Sequence, residues 1–350
     1  MVSPLPHRIR YVVAAAGACA LAVVVVISPA DAKTFNPKAH VLAARLPERG
    51  AAPGVSARPS PPVGSPARTP TAKTSVSWGS TSSPAARAAA TPASTGVMFD
   101  DFAYQSVSDA AFTKEWSVRS GQGAPGQAGA TWSPATVSFT GSGSAATMTQ
   151  VASTDGTATG TTHSEIDSRL AKYALGTYAS RIRFTDTPTG PTGAHVNETF
   201  FAISPNDTDA NYSEMDFEYL PAGGWGDNRK QLDFTSWNSP TDSMETASAQ
   251  SYDGWHTLVV QATASSITYF VDGVQTFSTD GKYVVRESMD ICFNAWFIDG
   301  ELGGTGATRS YQQEVDWVYF QSGQTLAPAA VQAQVDSERA AGVTATDTVS

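Results

Sequence analysis

The chain is poor in the residues that cross-link or metallate small proteins: it has two cysteines and five histidines in 350 residues. Cys19 falls inside an apolar N-terminal run, so a processed chain keeps Cys292 alone and forms no internal disulfide. His7, His40, His163, His195 and His256 show no ligand spacing, which argues against a zinc centre. Phosphate-binding glycine loops, dinucleotide glycine motifs and nucleophile elbows are missing as well. There is no repeat of fixed period, and no amphipathic helix of ordinary length precedes the C-terminal tail. Charged residues make up only 15% of the chain and are unevenly placed. Residues 33–97 hold eight Lys or Arg against Glu48, a net +7, whereas residues 98–350 hold 12 basic and 30 acidic residues, a net −18. A body this acidic repels phosphate backbones, which excludes nucleic acid as its partner.

What is present begins with an export pattern. His7, Arg8 and Arg10 precede an apolar run from Tyr11 to Ile27, and Ala30-Asp31-Ala32 supplies an A-x-A cleavage site. An uncleaved membrane anchor is the competing reading, but Pro29 and the small residues suit a peptidase better than a helix flank. Residues 1–32 are therefore read as a signal peptide and the protein as secreted. Residues 33–97, rich in Pro, Ala, Ser and Thr, lack the large apolar residues a core needs and read as an extended, disordered linker. Its basic charge suits loose association with an anionic cell wall, or simply keeps a spacer soluble.

From Met98 onward the pattern has period two. Tyr178, Ser180, Ile182 and Phe184 alternate with Ala179, Arg181 and Arg183. Ile267–Val271 and Val274–Phe277 flank Asp272-Gly273, a tight-hairpin pair. Met289, Ile291, Phe293, Ala295 and Phe297 share one face of a further strand, with Asp290, Cys292, Asn294 and Trp296 on the other. Gln313–Phe320 reads as a last strand. Many strands and almost no helix predict an all-β domain, a β-sandwich or barrel, over residues 98–322. Residues 323–350 form a tail, with a short helix over Ala327–Ala341 that Gly342 ends.

The segment Ser213-Glu214-Met215-Asp216-Phe217-Glu218-Tyr219-Leu220 carries the chemistry. On a strand, Met215, Phe217 and Tyr219 take one face and three carboxylates take the other. Like charges in a row repel, and strands usually avoid acids, so the pattern calls for a reason. A retaining glycosidase supplies one, since it needs a carboxylate nucleophile and a carboxylic acid. Glu214 and Glu218 lie roughly 13 Å apart along an ideal strand. Retaining chemistry wants the carboxyl groups about 5–5.5 Å apart, so the side chains must lean together on a curved sheet. A solvated strand face and a calcium site are the alternatives that alternation leaves open.

The surrounding motifs resemble glycoside hydrolase family 16, whose E-x-D-x-E strand reads E-M-D-F-E here. Gly176-Thr177-Tyr178 is similar to its G-x-Y strand, and Thr199-Phe200-Phe201 to its paired aromatics. Gly254-Trp255-His256-Thr257, Tyr269-Phe270-Val271-Asp272-Gly273-Val274, Met289–Trp296 and Glu314–Val318 follow in family order, so the resemblance spans about residues 98–322. It implies a jelly roll of two curved antiparallel sheets. Glu214 is then the nucleophile, Glu218 the acid and base, and Asp216 an electrostatic helper. The uninterrupted triplet is nearer the mixed-linkage glucanase and xyloglucan branches.

Expected substrate contacts are Tyr212, Phe201, Asn294, Trp296 and Trp225, aromatic and polar groups of the kind that hold sugar rings. Phe201, Asn294 and Trp296 match cleft residues of the family. Trp225 sits in the Gly-rich loop Pro221–Asp227, longer than in compact glucanases, where it caps a subsite or anchors the loop. Asp233 and Thr235 replace the Asn and Tyr expected of mixed-linkage enzymes. No cofactor is required, but the resemblance implies a structural calcium ion with Asp316 as ligand; Asp316 reads equally well as a surface acid. The resulting expectation is a secreted, monomeric, endo-acting retaining β-glucanase acting on a polysaccharide. The rivals are a transglycosylase on the same scaffold, a non-catalytic glycan-binding module and a wall-anchored structural protein.

Overall fold

A computed structural model describes residues 96–206 and 210–350. The expected signal peptide and nearly all of the linker lie outside the described residues. Two antiparallel sheets face each other, as the alternation predicted. The back sheet contains β1 (Val97–Asp100), β4 (Val137–Thr140), β5 (Thr147–Thr154), β7 (Gly176–Phe184), β12 (Gly254–Ala262), β13 (Ser266–Val271), β14 (Val274–Asp280), β16 (Arg309–Ser322) and β17 (Ala345–Asp347). The front sheet contains β2 (Trp116–Val118), β6 (Thr162–Ser168), β8 (Val196–Ile203), β9 (Glu214–Leu220), β10 (Gln231–Ser239), β11 (Asp242–Ser248) and β15 (Asp290–Phe297). A two-residue β3 (Thr131–Trp132) runs parallel to the start of β6, and a short helix α1 (Ala110–Glu115) precedes β2.

Pairing sets the front sheet in the order β11, β10, β9, β8, β15, β6, β2. In the back sheet β14, β13, β12, β7 and β16 run in order. The first half of β16 pairs on with β5 and its second half with β1. The core fills the space between the sheets. Phe200, Phe217 and Phe293 come from three adjacent front strands and stack, with ring centroids 6.1 and 5.1 Å apart. They meet Tyr178, Ile182, Val260, Tyr269, Val315 and Phe320 of the back sheet. The hairpin joining β13 and β14 turns at Asp272 (φ 50°) and Gly273 (φ 82°), a type I′ geometry that matches strand twist. His256 Nδ1 lies 2.7 Å from Asp272 Oδ2, the strand-end contact its position suggests.

The tail is built into this sandwich. Helix α2 (Pro328–Ala340) starts with Pro328 in its first turn. It ends in a Schellman closure: Gly342 has φ 73°, its N–H bonds to Arg339 O, and the N–H of Val343 bonds to Glu338 O. Val331 and Val335 pack on Phe99, Ala179, Val259, Trp317 and Tyr319, covering the outer face of the back sheet. Each such burial stabilises by about 1.5–3 kcal/mol. β17 then adds to the edge at β1.

This helix bears on the calcium expectation at Asp316. Asp316 sits at a β-bulge, between Val315 opposite Ile182 and Trp317 opposite Arg181. Its two oxygens accept from Arg181 Nη1 at 2.6 Å and Arg339 Nη2 at 2.8 Å. Arg339 also donates to Asp101 from Nε and Nη2, at 2.9 and 2.6 Å. Two guanidinium groups at one carboxylate make a donor set that repels a cation, so these residues do not fit calcium. Among the described residues, no group of three or more His, Cys, Asp or Glu is arranged to hold a metal ion.

Candidate active site

The acid strand lies third in the front sheet, flanked by β10 and β8. Met215, Phe217 and Tyr219 enter the core as the alternation requires. Glu214, Asp216 and Glu218 therefore share the face turned away from it. Each acid receives a donor from a different place. The Tyr212 hydroxyl donates to Glu214 Oε2. Trp237 Nε1 donates to Asp216 Oδ2 at 2.6 Å, and Asn197 Nδ2 donates to Glu218 Oε1 at 2.6 Å. Each of these hydrogen bonds fixes the rotamer of the carboxylate that accepts it.

Register places the remaining groups. On β10, Trp237 stands opposite Glu214, Thr235 opposite Asp216 and Asp233 opposite Glu218. On β8, Phe201 stands opposite Asp216 and Thr199 opposite Glu218. β15 continues the rows, with Cys292 beside Phe201, Asn294 beside Thr199 and Trp296 beside Asn197. Phe201, Ile203, Tyr212, Trp237 and Cys292 form an apolar cluster around the Glu214 and Asp216 end. Trp132, Leu220, Trp296 and Ile298, with Trp225 packed against them, form another at the far end.

All the expected residues on this face, Tyr212, Phe201, Asn294, Trp296 and Trp225, fall in the neighbourhood of the acid row. Asn294 is engaged by protein: it accepts from Thr199 Oγ1 at 2.5 Å and donates to Glu165 Oε2 at 3.0 Å. Glu165 in turn pairs with Arg119 Nη1 at 3.2 Å, and the Arg119 guanidinium lies 4.2 Å over the Trp132 ring. Asp316 lies on the outer face of the back sheet, remote from the acid row in the sheet order. Asn197 was missed by sequence reasoning. Its only signal is parity, since it precedes Thr199 and Phe201 by even steps on the same strand.

Against solved structures, the chain is similar to a Bacillus licheniformis β-glucanase, with a TM-score of 0.50 and 18% identity, covering 65% of this chain and 98% of that one. A β-1,3-1,4-glucanase (lichenase) from a mouse hindgut metagenome has a TM-score of 0.48 and 18% identity, covering 64% and 98%. A family 16 protein of the Bacteroides ovatus mixed-linkage glucan locus, in complex with a G4G4G3G product, has a TM-score of 0.48 and 17% identity, covering 63% and 98%. No protein-family model matches the sequence, nor does any curated protein. The fold is the β-glucanase jelly roll that the motifs implied.

Proposed function

We propose that this chain is a secreted, endo-acting retaining β-glycosidase that hydrolyses β-glucan-type polysaccharide. The observation that carries the reading is the acid row of β9, with a separate donor on each carboxylate. A solvated strand face has no use for three donors supplied from three places.

In this reading Glu214 attacks the anomeric carbon, forming a glycosyl ester as the bond to the leaving oxygen breaks. Glu218 gives its proton to that oxygen, then takes one from the water that cleaves the ester and releases Glu214. Asp216, between them and fixed by Trp237, supplies negative charge beside the oxocarbenium-like carbon. The Tyr212 hydroxyl orients Glu214 for attack. Aromatic groups at both ends of the row suit sugar rings, whose apolar faces pack on them. Export rests on residues 1–32, and wall association on the basic segment 33–97. A monomer without a required cofactor completes the reading. The likeness to a β-glucanase supports the glucan class, while Asp233 and Thr235 leave the mixed-linkage pattern.

The test is a reducing-end assay on mixed-linkage glucan, laminarin and xyloglucan, with wild type beside Glu214→Gln. Activity on one polymer, reduced by several orders of magnitude in the variant, is expected. Activity that survives in the variant removes Glu214 from the nucleophile's role. Binding without hydrolysis by wild type favours a glycan-binding module instead.

A further inference from the structure

The Gly-rich loop after β9 holds a bulky residue in a conformation that L side chains avoid. Trp225 has φ 51° and the next residue, Gly226, has φ 86°. Gly224 and Asp227 exchange backbone hydrogen bonds across them, at 2.7 and 3.0 Å. This is the geometry of a type I′ turn, whose first corner favours Asn, Asp or Gly. A tryptophan there is strained, and strain of this kind persists where neighbours over-determine it.

The neighbours are visible. Glu301 Oε2 accepts from the Trp225 N–H at 3.2 Å. Glu301 is itself set by a tight turn after β15: its N–H bonds to Ile298 O at 3.1 Å, and its carbonyl accepts from the His195 N–H at 3.0 Å. The carbonyl of His195 accepts from the Ile298 N–H at 3.0 Å, closing the turn onto the start of β8. His195 Nδ1 also stands 2.7 Å from Glu301 Oε2. Gly224 backs onto the same turn, where a Cβ would lie 2.2 Å from Ile298 Cδ1. Thus held, the Trp225 ring meets Trp296 edge-on, with centroids 6.1 Å apart and planes at 66°. Trp296 pairs in register with Asn197, whose amide holds Glu218, so Trp225 belongs to the Glu218 end of the acid row.

We propose that Trp225 is a preset aromatic platform for a sugar ring at that end of the site, and that Glu301 is the positioning residue that holds it. The proposal rests on the glycosidase reading and adds a subsite to it. An indole already fixed in place loses little freedom when a ring stacks on it, which is how preorganisation gains affinity. Glu301 touches no substrate and acts through the Trp225 backbone.

Two measurements on the purified full chain test it. Kinetics on a long soluble β-glucan should show about a tenfold rise in KM for Trp225→Ala, with kcat within about twofold. Glu301→Ala should move KM the same way. Glu301→Gln, whose amide oxygen still accepts the N–H, should stay near wild type. The double variant Trp225→Ala, Glu301→Ala should be no worse than Trp225→Ala alone. Near-ultraviolet circular dichroism needs no substrate: the signal of the Trp225–Trp296 pair should vanish in Trp225→Ala and weaken in Glu301→Ala. An unchanged spectrum in Glu301→Ala overturns the positioning role, whatever the activity. A weakened spectrum with KM unmoved overturns the platform. Should wild type hydrolyse no polymer, the glycosidase reading fails separately. Tryptophan fluorescence with a β-glucan oligosaccharide then decides the platform: a response in wild type that Trp225→Ala loses supports it, and equal responses overturn it.

Discussion

The sharpest stability prediction concerns Arg339, which reaches from the last turn of α2 to two buried carboxylates. Asp101 is 1% exposed and Asp316 is 5% exposed, and both accept from the same Nη2. Burial pushes the Asp101 carboxyl above its ordinary range, Arg339 pulls it back, and Asp316 pushes it up again. Arg339→Met keeps most of the aliphatic stem and removes the charge. Asp316 retains Arg181, so the loss falls mainly on Asp101, left buried without its charge partner. Breaking a buried pair from one side costs about 3–5 kcal/mol. The Arg181 brace sets the expectation at the lower end, about 3 kcal/mol. For a domain of this size that is a fall in Tm of about 6–12 °C, read by calorimetry. The same measurement in wild type with a chelator should show no shift, because the guanidinium stands where a cation would. In Arg339→Met, millimolar calcium should recover part of the loss. A Tm within about 2 °C of wild type for Arg339→Met would refute the brace, and so would a chelator-sensitive wild type.

Two further perturbations follow from single groups. Glu198 points into the core, is fully buried, and has neither carboxylate oxygen hydrogen-bonded. Burial first, and Asp186 second, raise it well above the ordinary carboxyl value, so the folded protein keeps a proton that the unfolded chain has lost above about pH 4.5. Its stabilising contribution is complete below that pH and declines as pH rises towards the folded value. Glu198→Gln should therefore gain on wild type by up to about 1.4 kcal/mol per pH unit across that window, and parallel unfolding curves from pH 5 to 8 would sink this. Trp237→Phe keeps an aromatic ring at this buried position but shrinks it and removes the N–H that Asp216 accepts. It should lower kcat at least about tenfold at a stability cost of about 1–3 kcal/mol, and an unaltered kcat in the folded variant would show that Asp216 needs no fixed partner.

The elements legible in the sequence are those whose signal is local. β15 follows from five apolar residues at even steps, the β13–β14 hairpin from Asp-Gly, and α2 from an Ala-rich run closed by Gly342. The acid face of β9 was legible for the same reason. What stayed hidden depends on which strands lie together. Asn197 is 21 residues from Glu218 in sequence, and only the pairing of β8 with β9 brings them together. The family resemblance made Asp316 a candidate ligand, and nothing local reveals that the tail helix delivers Arg339, 23 residues downstream, to it. The loop at 221–227 was visible as a glycine cluster, but a positive φ at Trp225 was not, since turn preferences point to Asn or Gly there. Glu198 has the parity of a core position, and the sequence offers no partner that would explain an acid in it.

These cases converge on register as the quantity that makes the site. The donors to Glu214, Asp216 and Glu218 come from the approach to β9, from β10 and from β8, so no one segment carries the constellation. Slipping β10 by one residue would turn Trp237 into the core and present Ser236 and Asn238 to the acids. What forbids the slip lies on the opposite face: Leu232 and Phe234 of β10 pack with Phe217 of β9, and Phe217 stacks on Phe200 of β8, which stacks on Phe293 of β15. A slip would expose that apolar row, at about 1.5–3 kcal/mol for each large side chain. Repulsion along the acid row is thus resisted by apolar packing one side chain away on the same strand, and the aromatic stack belongs to the chemistry as much as the hydrogen-bond donors do.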